Sequence, residues 1–152
     1  MDVFGLLANG RLDEMRAALA ADPRLAASRH SSGASLLAWA CYAGKPEAAS
    51  LIRPHLANLA PHDAIIFGEI DAVVAALDAG WDGNALSADG FTPLGLAAFF
   101  RRRDIFDLLL PLTRDVNEAA HNAQKVAALH AATAMRDAGM VEALLRAGAA
   151  PN

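Results

Sequence analysis

The stretch from residue 89 to residue 117 constrains this chain more than any other. Asp89-Gly90 is a turn signal, because glycine accepts positive φ at no steric cost. Thr92-Pro93 then opens a helix: Thr can accept a backbone N–H as N-cap, and Pro fits the first helical position, where its missing N–H is no loss. Leu94, Leu96, Ala97 and Ala98 follow, small on one side, so a neighbouring helix can approach closely. A second helix is expected over about Asp104 to Leu110, with Ile105, Phe106, Leu108 and Leu109 at helical spacing. Pro111 helps to end it, and Asp115-Val116-Asn117 leads into another turn. A unit of turn, helix, turn, helix and loop cannot bury its apolar faces alone, so it needs neighbours on both sides.

The rest of the chain supplies such neighbours. Near the N-terminus, Val3, Phe4, Leu6 and Leu7 predict a short apolar helix, Asn9-Gly10 a turn, and Leu12, Met15 and Leu19 a second helix that Asp22-Pro23 ends. Asp2, Arg11, Asp13, Glu14 and Arg16 would keep an outer face wet, as a terminal repeat requires. The run from Gly33 to Gly44 sets Ser35 where Thr92 stands and Leu36 in place of the proline. A helix over Glu47 to Arg53 follows, with Pro54 near its end. From Gly44 to Gly68 the spacing is shorter than a repeat of roughly 33 residues allows. Asp63 to Phe67 offers barely more than a turn of helix, so either that helix or the hairpin before it is truncated. Ala72 to Ala79 predicts the next helix, with Gly80 as its C′ residue. Past residue 118, a slightly lengthened loop precedes Leu129-His130-Ala131-Ala132, which echoes Leu94 to Ala97, and Val141 to Asn152 repeats the second half of the pattern.

Residues 89–117 resemble one full ankyrin repeat, and the likeness extends over nearly the whole chain. It is strong in the second, fourth and fifth units and weaker in the first and third, which are degenerate. His130 occupies the histidine position of the family's Thr-Pro-Leu-His signature, although Ala127-Ala128 replace Thr-Pro. The resemblance implies an all-α fold, an ankyrin-repeat solenoid of about five stacked helix-turn-helix units, at approximately 1–30, 31–58, 59–87, 88–118 and 119–152 of a single domain. The first unit is similar to the atypical repeat that often opens bacterial ankyrin proteins. An ankyrin protein would turn into another repeat at Asn152. The resemblance therefore implies that the apolar face of the last unit is exposed, packs on a partner or a second copy, or belongs to a chain cut short.

Composition narrows the function classes. The net charge is −4, which gives no bulk affinity for nucleic acid or an anionic membrane. The single Cys41 allows no intramolecular disulfide and suits a reducing compartment; with the Ala-rich composition it points to a bacterial, cytoplasmic protein. No apolar run approaches the roughly 20 residues that span a bilayer, and Met1 to Phe4 does not read as a signal peptide.

The chemistry-bearing residues assemble no catalytic constellation. His30, His55, His62, His121 and His130 include no pair at the i, i+4 spacing of a helical zinc site, so no metal is expected. Cys41 stands where a small buried residue belongs and reads as an inert core thiol. No phosphate-binding glycine loop or nucleophile elbow is present, so no enzyme activity and no cofactor are expected. The resemblance implies instead a non-catalytic protein–protein interaction module that binds an unknown protein partner through its concave face. Carried onto this chain, the hairpin tips include Arg29, His30, Ser87, Ala88 and Phe91, and the exposed first-helix positions include Tyr42, Ala43, Phe99, Phe100, Ala134 and Met135. The expected partner-binding residues are Tyr42, Phe91, Phe99, Phe100, Arg102 and Met135. Two aromatics beside Arg101, Arg102 and Arg103 resemble a binding hot spot; the plainer reading is one Phe packed between repeats and a solvated arginine turn. Because Arg101 replaces the turn glycine, it calls for left-handed or adjusted backbone. Trp39 is expected in the core, Trp81 in a gap between units, and His130 hydrogen-bonded within its hairpin as the matching family position is. The alternative function is a structural or assembly role, with self-association or docking through residues 129–152.

Overall fold

A computed structural model describes residues 2–150 of the chain; Met1 and the Pro151-Asn152 pair, which closes the expected fifth unit, lie outside the described residues. The fold is all-α. Among the described residues there are ten α-helices and no strand, only an isolated antiparallel bridge between Arg29 and Ser35. The chain divides into two compact units, Met1–Asp63 and Ala64–Asn152.

The first unit holds α1 (Val3–Ala8), α2 (Leu12–Ala21), α3 (Leu36–Tyr42) and α4 (Pro46–Ile52), with short 3-10 turns at Pro23–Ala27 and Arg53–His55. Local chemistry sets the starts. Asp2 accepts the Gly5 N–H at 2.8 Å, and Ser35 Oγ accepts the Ala38 N–H at 3.0 Å. Leu7, Met15, Leu19, Leu36, Leu37 and Ile52 are buried, on the helical faces their spacing predicts. His30 and Ala34 close a hairpin before α3, the His30 N–H donating to the Ala34 carbonyl at 2.8 Å.

The division between units falls inside α5 (Pro61–Phe67). That helix corrects one expectation. It has seven residues, as many as α3, so the helix is whole. The shortening lies in the segment between His55 and Pro61, which leaves no length for a hairpin.

The second unit continues through α6 (Ile70–Asp78), α7 (Pro93–Phe99), α8 (Arg103–Leu109), α9 (Ala128–Ala134) and α10 (Ala138–Arg146). Thr92 caps α7 by accepting the Gly95 N–H at 3.0 Å, with Pro93 at the first helical position. A 3-10 turn at Leu110–Leu112 carries the chain past Pro111, one step beyond the expected stop. Gly80 has φ +100 directly after α6, the left-handed end expected there. Helices α7 and α9 lie against each other, and Ala97, Ala98, Ala131 and Ala132 are all buried, the small side chains that permit close approach. Ile105, Phe106, Leu109, Met140 and Leu144 fill the layer formed by the second helices.

Polar ties knit successive repeats of this unit. The Asn84 side chain donates to the Leu112 carbonyl at 3.0 Å and accepts the Arg114 N–H at 3.0 Å, and Asn117 accepts the Ala150 N–H at 2.7 Å. The hairpin before α7 is tied to the next one by the His121 N–H on the Gly90 carbonyl, 2.7 Å, and by the Asn122 amide on the Asp89 carbonyl, 2.9 Å. A Cβ on Gly90 would lie 2.6 Å from the His121 oxygen, so the close approach, as much as the positive φ of +88, requires glycine here.

Candidate binding surface

Two features of the second unit define a surface: the hairpins that precede α7 and α9, and the C-terminal ends of those helices. The first hairpin is built by Ser87. Its N–H donates to the Phe91 carbonyl at 2.9 Å, its Oγ accepts the Phe91 N–H at 2.9 Å, and its hydroxyl donates to the Asp89 carboxylate at 2.5 Å. Phe91 is thereby held at the base of the hairpin, half-buried. The second hairpin closes through the Ala120 N–H on the Val126 carbonyl at 2.9 Å.

At the other end of α7, Phe99 is 43% exposed, and its ring meets Phe100 edge-on, centroids 5.0 Å apart at 77°. Phe100 is half-buried. The N–H of Arg102 donates to the Ala97 carbonyl and that of Asp137 to the Ala132 carbonyl, which puts the two repeats in register. Phe99, Phe100 and Arg101 therefore correspond to Ala134, Met135 and Arg136. Ala134 is exposed and Met135 half-buried.

The three arginines that follow Phe100 have three different settings. Arg101 has φ +57, the left-handed backbone expected of a residue in the glycine place. Such a conformation costs a non-glycine residue on the order of 1 kcal/mol. Arg103 pairs with Asp107, Nε to Oδ1 3.0 Å, and its guanidinium lies 6.0 Å from the Phe106 ring centre. Arg102 reaches back to the preceding repeat. Its Nε and Nη2 donate to the Ile66 carbonyl at 3.1 and 2.8 Å. That oxygen sits in the last turn of α5, where helical carbonyls lack intrahelical partners. The guanidinium lies where a side chain on Gly68 would extend, 3.1 Å from an ideal Cβ. The residue selected from sequence for a partner is thus engaged between repeats of its own chain.

In the first unit, Tyr42 ends α3 in the register of Phe99 and is half-buried. Trp39, expected in the core, is only half-buried. Its indole stacks on the His30 imidazole, centroids 3.7 Å apart at 12°, and Phe4 meets the same imidazole edge-on at 5.6 Å. The His30 ring nitrogen Nδ1 also accepts the Ser32 N–H at 3.1 Å. His30 is therefore packed rather than projecting from its hairpin. The periodicity of α3 could not reveal this, because the stacking partner comes from the preceding hairpin.

His130 places Nδ1 3.2 Å from the Ala127 N–H and accepts from it, a bond at the start of α9 where the alanine has no capping side chain of its own. Cys41 is half-buried rather than fully buried. Among the described residues, no group of three or more His, Cys, Asp or Glu could hold a metal ion, and no helix is long and apolar enough to cross a membrane. The loop at Asp82 has a marked electrostatic setting. Its carboxyl is held below the ordinary value by the Asn84 backbone N–H first and by the Arg114 guanidinium second. The Arg114 Nη2 lies 3.1 Å from the carboxylate. Sequence reasoning passed over one surface residue, Arg136. The available signal was its place, which matches that of Gly44, Gly68 and Arg101 at the turn between helices.

Comparison with known proteins agrees with this architecture. Residues 62–110 match the family model described as ankyrin repeats (many copies). No curated protein matches the chain. The matched segment runs from α5 through α8 and includes the Arg102–Ile66 contact. Ankyrin repeats generally mediate protein–protein interaction and are typically non-catalytic. The matched segment is similar to ankyrin repeats, and the helix pairs that recur through the second unit agree with that likeness.

Proposed function

We propose that the chain is a non-catalytic interaction module that binds a protein partner through the concave face formed by its hairpins and first helices. One observation carries this reading: Phe99, a large apolar side chain 43% exposed, stands against Phe100 at the end of α7. Exposed aromatic pairs with half-buried neighbours have the character of interface anchors. Phe91 at the hairpin and Met135 on the adjacent repeat extend the face, and Tyr42 supplies the same register position in the first unit. Arg102 contributes by fixing the repeat from which Phe99 and Phe100 project. A single cysteine without a disulfide fits a cytoplasmic setting.

The test is retention of lysate proteins on the immobilised chain, compared with a Phe99→Ala/Phe100→Ser variant of unchanged helical content. A protein held by the wild type and lost by the variant supports the reading. Equal retention by both removes this face from it.

A second reading, assembly through the last repeat, has its own observation. Leu145 is 45% exposed beside Ala138 and Val141, whereas Phe106, in the register of Val141, is fully buried one repeat earlier. Sedimentation tests this reading. A monomer at every concentration removes self-association, and a dimer abolished by Leu145→Glu supports it.

A further inference from the structure

Arg101 and Arg136 have no duty that the fold explains. Each closes the turn between the two helices of its repeat, and each has φ +57. At the matching turns Gly10, Gly44 and Gly68 take positive φ with glycine, the residue that does so without steric cost. An arginine kept there twice, one repeat apart, works against local stability. Strain of this kind points to function when nothing intramolecular repays it. Here nothing does. Among the described residues neither guanidinium makes a hydrogen bond or ion pair, while every other arginine is tied to a carboxylate or a carbonyl. Both residues are exposed.

The two side chains belong to one edge. The Gly90–His121 tie sets the hairpins before α7 and α9 side by side, and the two helices run on against each other. Their C-terminal ends therefore share the opposite edge. Along it, Phe99, Phe100 and Arg101 stand in register with Ala134, Met135 and Arg136. The carboxylates adjacent in sequence are bonded elsewhere: Asp104 accepts the Ile105 N–H, Asp107 pairs with Arg103, and Asp137 caps α10 through the Met140 N–H, and none of them pairs with Arg101 or Arg136. An apolar patch is thus flanked by two exposed cations that form no ion pair among the described residues.

We infer that this edge recognises an acidic, extended segment of a partner protein. Carboxylates of that segment pair with Arg101 and Arg136, and an apolar residue between them seats on Phe99 and Met135. The planar guanidinium fork matches a carboxylate. It also matches a phosphodiester, but a net charge of −4 repels a long polyanion, which favours a short acidic run in a protein. The inference deepens the interaction-module reading and rests on it.

The experiment selects a randomised linear peptide display library on the full chain. The enriched peptide is then measured by fluorescence anisotropy against wild type, Arg101→Gly/Arg136→Gly and Phe91→Ala. Glycine relieves the left-handed strain, so the double variant keeps its fold, and a thermal melt verifies this. The expected peptides carry Asp and Glu around an aromatic or aliphatic residue. The double glycine variant should bind them roughly tenfold more weakly and lose most of the salt dependence. Any of these peptide results overturns the inference: enrichment of peptides that are not acidic, equal binding by the double glycine variant, or no enrichment at all. If binding ignores the arginines but falls with Phe91→Ala, the interaction module stands and only the acidic segment is refuted. Tighter binding of a single-stranded oligonucleotide, released by the double variant, would reassign the edge to nucleic acid and overturn it equally.

Discussion

Replacing Arg102 by Ala tests the structure where it departs most from the sequence reading. The arginine gives two N–H donors, at 3.1 and 2.8 Å, to one carbonyl at the end of α5. A hydrogen bond from a charged group contributes about 1.5–3 kcal/mol. Two donors on one oxygen do not double that, and the site is half-buried, so water replaces part of the loss. The lower end of the range, about 1.5 kcal/mol, is therefore expected, which lowers the melting temperature by about 3–6 °C in a chain of this size. Trp81 belongs to the same compact unit and is half-buried, so its fluorescence reports unfolding of that unit once Trp39→Phe has silenced the other tryptophan. In urea, Arg102→Ala should shift the Trp81 transition to lower denaturant with an unchanged slope. Arg102→Lys, which keeps the charge without the planar fork, should fall between the two. An Arg102→Ala transition that coincides with wild type would refute the reasoning. It would return Arg102 to the binding residues that the sequence alone suggested.

Three further outcomes follow from the geometry. Gly90→Ala combines a φ of +88 with a Cβ placed 2.6 Å from the His121 oxygen, whereas Gly80→Ala has strained φ and open space. Thermal melts should show Gly80→Ala costing about 1 kcal/mol and Gly90→Ala clearly more, about 2–3 kcal/mol; equal losses would deny the hairpin contact. Ser35→Ala removes the acceptor of the Ala38 N–H in a buried N-cap, and calorimetry should find the first unit weaker by about 1 kcal/mol. Asp82 has a depressed pKa, so its contribution is fully present above the ordinary carboxylate value of 3.8 and is lost as pH falls through the lower folded value. A carbon-detected NMR titration should give Asp82 a midpoint below that of a short peptide, and Arg114→Ala should raise it only in part, because the Asn84 N–H is the larger cause.

Much of the local architecture was legible in the residues. Thr92-Pro93 started α7 because a hydroxyl and a fixed φ suffice for that. Gly80 ended α6 and Arg101 took left-handed backbone because each replaces or occupies a turn position set by its neighbours in the chain. The aromatic pair at Phe99-Phe100 could be singled out because the resemblance implies exposed first-helix positions there, beside three arginines. The third unit was half legible: spacing showed that something was missing, and only the whole α5 showed that it was the hairpin.

The fates of the long polar side chains were not legible. Arg101, Arg102 and Arg103 are adjacent in sequence and identical in chemistry, yet one is free of side-chain partners, one holds a carbonyl 36 residues away and one pairs within its own helix. Trp39, expected in the core, is half-buried, and its partner is His30 from the hairpin before it, a contact that the periodicity of its own helix does not contain. The sequence by itself determined the helices, the turns and their period, since those depend on backbone preferences and apolar spacing within a few residues. Tertiary structure decided which arginines were consumed in joining repeats and which stayed exposed among the described residues. That depends on the offset between stacked helices, which no window along the chain contains.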